Sequence, residues 1–159
     1  MKIILVLLVL GFMHGCTFRP PVTSGTVTSS FGPRANPVGE GHHFHWGTDI
    51  GLPVGVPISP VASGTVTRVG YNEARGNYIF ISHFVVFSSR YIHLDEVNVE
   101  VGERVNHRIV IGTSGATGRV TGPHLHYEIR LFGIPKPPHL FIIPGRILTS
   151  LGIVRIAGG

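Results

Sequence analysis

The sequence is poor in cysteine, in charged side chains and in alanine. Its 159 residues include one cysteine, Cys16, so no disulfide can form within the chain. Charged residues make up 13% of the sequence, against about 25% in an average soluble domain. Because 43% of the residues are hydrophobic, this low charge argues against intrinsic disorder. The 22 glycines and 12 prolines argue against a long helical bundle and favour strands and turns.

The charge that is present is mainly positive. Thirteen lysines and arginines against eight acids give a formal net charge of +5. Such a chain suits an anionic envelope polymer or an anionic membrane surface. No aromatic and basic motif of an RNA-binding domain is present, so nucleic acid is not predicted as a partner.

The N-terminus has the pattern of an export signal. Met1 and Lys2 precede an apolar run from Ile3 to Met13, which is shorter than the about 20 residues of a membrane-spanning helix. Gly15 and Cys16 follow, and the whole resembles a bacterial lipoprotein signal. We predict that residues 1–15 are the signal peptide and that lipidated Cys16 attaches the mature chain to a membrane. Simple secretion and an uncleaved anchor are the alternatives, and all three place the domain outside the cytoplasm. With the lipoprotein signal, the expected location is the cell envelope.

The rest of the chain predicts one domain built from short strands. Residues 16–28, rich in Thr, Pro, Ser and Gly, predict a short tether. Residues 29–143 predict the folded domain, and residues 144–159 a C-terminal tail or extra strand. The fold class is all-β, mainly antiparallel sheets with long loops. The predicted strands are 64–69, 78–83, 90–94, 109–112 and 124–131.

Three histidine motifs predict a metal site. His45 and Asp49 are four residues apart and share a face if they lie on one strand. His124 and His126 are two apart and also share a face, although only one of them need be a ligand. His93 is the third candidate. Imidazoles and a carboxylate suit catalytic zinc, which keeps three protein ligands and one open position.

Several ordered motifs together resemble the lysostaphin and LytM type of zinc metallopeptidase. The resemblance runs from about Val27 to Phe141 and so covers most of the mature chain. It is carried by Ser29-x-Phe31-Gly32-x-Arg34, His45-x-Gly47-x-Asp49-Ile50, Tyr91-x-His93-Leu94, Gly112-x-Ser114-Gly115-x-Thr117-Gly118 and Gly122-Pro123-His124-Leu125-His126-Tyr127-Glu128.

The resemblance implies a duplicated-hybrid-motif fold and hydrolysis of peptide bonds in peptidoglycan. By position it implies one zinc ion bound by His45, Asp49 and His126, with His93 and His124 as catalytic histidines. The bond that is cut stays open, because glycine cross-bridges and D-alanyl-diaminopimelate links both occur in the family. The main alternative is a catalytically silent regulator that binds peptidoglycan and acts through a partner protein. A third class is a sugar-phosphotransfer carrier, which shares the general fold. Such a carrier needs neither Asp49 nor a signal peptide, so the presence of both counts against it.

Four further features carry expectations. Arg34 is predicted to fix the first loop and His83 to be structural. Glu128 either orients a histidine or supports its strand. The apolar segment 84–87 either forms an exposed tip or packs under another loop.

Overall fold

The computed structural model describes residues 18–36, 40–141 and the short strand at 148–149. The predicted signal peptide and Cys16 lie outside the described residues. Within the described part of the chain, no helix has the length and hydropathy of a membrane span. The helical structure described there is one 3-10 turn, Pro138–Leu140.

Thirteen strands lie in the described residues. They are β1 (Thr26–Ser29), β2 (Gly32–Ala35), β3 (His42–His45), β4 (Thr48–Gly51), β5 (Pro57–Ile58), β6 (Gly64–Asn72), β7 (Gly76–Ser82), β8 (Phe87–Val97), β9 (Arg104–Val105), β10 (Gly112–Ser114), β11 (His124–Leu131), β12 (Ile134–Lys136) and β13 (Leu148–Thr149).

Most strands join one large, mainly antiparallel sheet. Its order is β13-β1-β4-β11-β8-β7-β6-β9, with β12 paired to β11 and β10 paired to both β5 and β8. Strands β2 and β3 form a separate two-stranded sheet. The prediction of an all-β, mainly antiparallel fold is confirmed, and the strand predicted at 124–131 is β11.

The sheet extends into the segment predicted to be a tether. Strand β1, in which Val27 lies between two threonines, pairs with β4, and Phe18 packs its ring against Phe87 and Phe141. β-Branched residues favour a pleated surface, and burial of Phe18 removes a large apolar area from water. Strand β13, in the predicted tail, pairs with β1 in parallel.

Alternation along the central strands builds the core. Ile79 and Ile81 on β7 are fully buried, as are Tyr91 on β8 and Ile129 on β11. The side-chain period of two places these residues on one face of the sheet, as the sequence predicts for Ile79 and Ile81. The core holds β4, β11 and β8 side by side, and these strands carry residues of the histidine motifs.

The apolar segment 84–87 is partly a tip and partly buried. Val85 is fully exposed, whereas Phe87 is buried and Phe84 and Val86 pack against the core. The backbone N–H of Phe132 donates to the carbonyl of Val86 at 2.7 Å. The turn therefore packs beside the β11–β12 turn and exposes one apolar side chain.

His83 belongs to a buried hydrogen-bond network, as its predicted structural role requires. Its Nδ1 lies 3.1 Å from the Ser63 carbonyl, and its Nε2 lies 2.7 Å from the Ser89 hydroxyl. A further hydrogen bond joins Ser89 to the Tyr91 hydroxyl, which accepts from the backbone N–H of Val61. A carbonyl can only accept, so the neutral ring donates from Nδ1 and accepts at Nε2. Burial lowers the pKa of His83 to about 4.

This buried histidine should make the fold sensitive to mild acid. The unfolded chain protonates His83 near its ordinary pKa of about 6.5, whereas the folded protein does so only near pH 4. The free energy of unfolding should therefore fall as the pH drops from about 6.5 towards 4, by up to about 1.4 kcal/mol per pH unit from this group. His83→Gln should flatten this dependence in denaturant titrations, and His107→Gln, outside the network, should not. An unchanged slope in His83→Gln would contradict the assignment.

Candidate metal centre and catalytic cleft

The histidine motifs converge at the base of an open cleft of about 670 Å³. One wall is the β2–β3 sheet with Phe44 and Trp46, and the other is formed by the loops around Arg75 and Arg119. His45, Asp49 and His126 lie between these walls, together with His93 and His124. All five residues selected from the sequence thus line one cavity.

Three strands, rather than two, position the candidate ligands. Asp49 on β4 stands directly opposite His126 on β11 in the antiparallel register. His45 ends β3, and the chain then turns before β4, so the sequence argument that His45 and Asp49 share one strand is wrong. Gly47 lies in that turn, and a Cβ atom there would be 2.5 Å from the Tyr127 carbonyl oxygen and 2.7 Å from His126 Nε2. The two residues meet because a glycine lets the chain fold back against β11.

The candidate ligand atoms lie very close together. Asp49 Oδ1 is 2.7 Å from His126 Nδ1 and 3.1 Å from His45 Nε2. The two ring nitrogens are 3.0 Å apart. His45 and Asp49 are buried, and His126 is half-buried. Such a group of electron-pair donors is suited to a shared cation.

The second polar atom of each candidate ligand is occupied by the protein. His45 Nδ1 donates to the Ser30 carbonyl at 2.9 Å, which leaves Nε2 as the free donor atom. Arg34 donates to Asp49 Oδ2 at 2.8 Å, which leaves Oδ1 for the centre. His126 Nε2 lies 3.6 Å from the carboxylate of Glu128. Outer contacts of this kind orient metal ligands and fix the histidine tautomers.

The surroundings keep Asp49 ionised. Burial alone would raise the pKa of Asp49, but the adjacent imidazoles of His126 and His45 outweigh it and hold this pKa well below its usual value. A carboxylate is the form that binds a cation.

The donor set fits zinc. A tetrahedral zinc ion with bonds of about 2.0–2.1 Å separates its ligand atoms by about 3.3 Å. The three candidate atoms lie 2.7, 3.0 and 3.1 Å apart, so they would need to move apart slightly to hold the ion. Two imidazole nitrogens and one carboxylate oxygen are zinc donors, and three protein ligands are the number that a catalytic zinc ion would need.

His93 is held in an unusual backbone conformation. Asn77 and Tyr78, adjacent on β7, pair with Leu94 and Ile92 on β8, so His93 between them is the extra residue of a β-bulge. Its φ is 67°, a left-handed value that costs a non-glycine residue energy. The backbone N–H of His93 donates to the Arg75 carbonyl, and its ring Nδ1 lies 2.9 Å from the Thr117 carbonyl. The bulge turns this ring into the cleft and leaves its Nε2 free.

His124 is oriented in a similar way. Its Nδ1 lies 2.8 Å from the Gly122 carbonyl, and its Nε2 lies 3.8 Å from Asp49 Oδ1. The ring centres of His93 and His124 are 4.9 Å apart. Burial lowers the pKa of His93 to about 4, so this imidazole is neutral at neutral pH. The pair presents two ring nitrogens beside the candidate metal centre.

Several contributors to the site were not predicted from the sequence. Arg34 does fix the first loop through Ser29, but its contact with Asp49 was not anticipated. The carbonyls of Ser30, Thr117 and Gly122 are backbone groups, so the sequence does not indicate that they contact the histidines. Glu128 contacts both Arg130 and His126, which fits the orienting and the structural interpretations alike. Of these contributors, Arg34 is the one that a sequence motif could have pointed to, because it belongs to the motif that opens the domain.

Comparisons with known proteins place these features in a family. Residues 43–138 match the model of Peptidase family M23. The chain is 44% identical over 133 residues to the peptidoglycan DD-endopeptidase ShyC of Vibrio cholerae, a match over 83% of this chain and 31% of ShyC. The chain therefore spans less than a third of that relative's length.

Solved structures show the same fold. A zinc-containing peptidase from Vibrio cholerae superposes with a TM-score of 0.71 at 38% identity, over 76% of this chain and 39% of that one. The catalytic domain of lysostaphin from Staphylococcus simulans gives 0.67 at 29% identity, over 74% of this chain and 91% of that domain.

The antiparallel β fold of this chain is that of the lysostaphin-type class of peptidase domains. With a family model matched over more than half of its length, the chain belongs to peptidase family M23.

The close approach of Gly47 to His126 yields a direct test. Gly47→Ala should push the His126 ring and the Tyr127 backbone away, because the added Cβ atom has no free space. We expect zinc affinity to fall by about tenfold or more, measured by competition with a chelating dye. Gly70→Ala is the control, since its Cβ atom would meet only the tip of Tyr78, outside the cleft. Parent-like zinc affinity in Gly47→Ala would contradict this account of the turn.

Proposed function

We propose that the protein is an exported zinc metalloendopeptidase that hydrolyses peptide bonds of peptidoglycan. In this proposal His45, Asp49 and His126 hold one zinc ion per chain, and His93 and His124 are the catalytic residues. The observation that carries it is the convergence of three donor atoms, each oriented by an outer contact, beside two imidazoles whose Nδ1 atoms lie within hydrogen-bond distance of backbone carbonyls. Family membership and the name of ShyC support the substrate class.

Bound zinc supplies Lewis acidity, polarising a carbonyl and acidifying a water molecule. His93, neutral at neutral pH, accepts the proton of the attacking water at Nε2 and returns it to the nitrogen of the leaving amine. His124, when protonated at Nε2, donates a hydrogen bond to the oxyanion that forms at the scissile carbonyl. The carbonyls of Thr117 and Gly122 hold both rings in place for these transfers.

Zinc content and cleavage separate the proposed ligands from the proposed catalytic residues. Asp49→Ala should lose both zinc and activity. His124→Ala and His93→Ala should keep about one zinc per chain but lose about a hundredfold to ten-thousandfold in the release of new peptide ends from peptidoglycan. Zinc is measured by mass spectrometry of the metal, and peptide ends by chromatography of digested cell walls.

Each outcome distinguishes a function. Zinc together with cleavage by the parent alone supports the endopeptidase. Zinc without cleavage of walls with either kind of cross-link would favour the silent regulator. Loss of zinc in His124→Ala would contradict its role as a non-ligand.

The envelope location is also a proposal. We propose that Cys16 is lipidated after removal of residues 1–15 and that it anchors the domain to the membrane. Cells grown with a labelled fatty acid should incorporate the label into the parent chain but not into Cys16→Ser, because only a thiol can carry the thioether-linked lipid. An exported but unlabelled parent chain would instead indicate simple secretion if it is released from the membrane, or an uncleaved anchor if it stays membrane-bound.

A further inference from the structure

Charge is unevenly balanced along the cleft. Its lining includes three cations, Arg34, Arg75 and Arg119, and two acids, Asp49 and Glu128. Both acids are already paired, Asp49 with Arg34 at 2.8 Å and Glu128 with Arg130, which is not part of the lining. Within the described residues, neither Arg75 nor Arg119 has a carboxylate partner. These two guanidinium groups, the arginine pair, give one wall of the cleft an excess of positive charge.

The arginine pair lies on the two loops that hold His93. The carbonyl of Arg75 itself accepts the backbone N–H of His93 at 2.9 Å. Thr117, two residues before Arg119, accepts from the His93 ring, and the N–H of Arg119 bonds to the Ala74 carbonyl. Both arginines are therefore attached close to the residue proposed to protonate the leaving nitrogen.

Close packing fixes the two loops against each other. A Cβ atom on Gly76 would be 2.1 Å from the Thr117 hydroxyl oxygen, and one on Gly118 would be 2.2 Å from the backbone nitrogen of Gly76. The Arg75 guanidinium also lies 5.9 Å from the centre of the Tyr78 ring, a contact that orients it without neutralising its charge. The two cations are thus set on a rigid pair of loops, although their side chains are exposed.

We infer that Arg75 and Arg119 bind a free carboxylate on the residue that supplies the scissile nitrogen. This inference rests on the proposed function. It specifies the substrate of the proposed endopeptidase as an anionic peptide cross-link. In a D-alanyl-diaminopimelate link, the carbon attached to the scissile nitrogen carries such a carboxylate. A glycine cross-bridge has no charge there. Guanidinium groups bind carboxylates through paired, charge-assisted hydrogen bonds, which makes them selective for the anionic link.

The test compares two peptides that differ only at this carboxylate. One is a synthetic cross-linked peptide with the free carboxylate, and the other carries the corresponding amide, which is similar in size and uncharged. Dissociation constants are measured by calorimetry on the zinc-loaded His124→Ala protein, so that cleavage does not deplete the ligand. We expect this protein to bind the carboxylate about tenfold or more tightly than the amide.

Substitution of the arginine pair should remove this preference. Adding Arg75→Gln and Arg119→Gln together should bring the affinity ratio close to one, mainly by weakening the carboxylate complex, with intermediate ratios for the single changes. Arg108→Gln removes one charge, as each single change does, but on a loop outside the cleft, and it should leave the affinity ratio unchanged. The melting temperatures should stay close together, because all three side chains are exposed.

The outcomes separate this inference from the proposed function. A preference that survives in the double variant, or no preference at all, overturns the role of the arginine pair. Cleavage of both peptides by the protein with His124 intact would in that case still support the endopeptidase. The expected ratios with no cleavage of either peptide would instead retain the carboxylate site and overturn hydrolysis.

Discussion

The structure depends on holding three electron-pair donors within about 3 Å of one another around Asp49 Oδ1. Lone pairs repel at this distance unless a proton or a cation lies between them, so the protein must hold them from outside. Ser30, Arg34 and Glu128 do so by contacting the far atom of each ligand. These contacts fix the tautomers and aim the remaining donor atoms at one point.

The sheet order follows from this requirement. Strand β11 lies between β4 and β8, so it faces Asp49 on one side and the His93 strand on the other. Alternation places both His124 and His126 towards the cleft, and the register sets His126 opposite Asp49. The β-bulge at His93 interrupts the regular pairing of β7 with β8 and directs the His93 ring into the cleft. The candidate ligands and the two proposed catalytic rings thus come from neighbouring strands, and loops hold them in place.

The sequence predicts most of the fold because its signals are local. The alternation in 124–131 identifies β11, and Ile79 and Ile81 identify a buried face of β7. Spacing alone does not reveal that Gly47 lies against His126. For this reason the prediction that His45 and Asp49 share one strand is wrong. The carbonyls that orient the histidines belong to backbone, which every residue has, so no pattern marks them. Arg34 acts across 15 residues on Asp49, and such a contact depends on the tertiary fold.

The fold separates two electrostatic tasks. At the centre, buried charge is matched group by group, since an unpaired ion away from water is costly. At the rim, water screens the charge of Arg75 and Arg119, so these cations need no carboxylate partner from the described part of the chain. The loops that carry them also hold His93, whose φ is 67°, so a carboxylate bound there would lie close to the residue proposed to protonate the leaving nitrogen. The proposed carboxylate site and the placement of the His93 ring therefore depend on the same pair of loops.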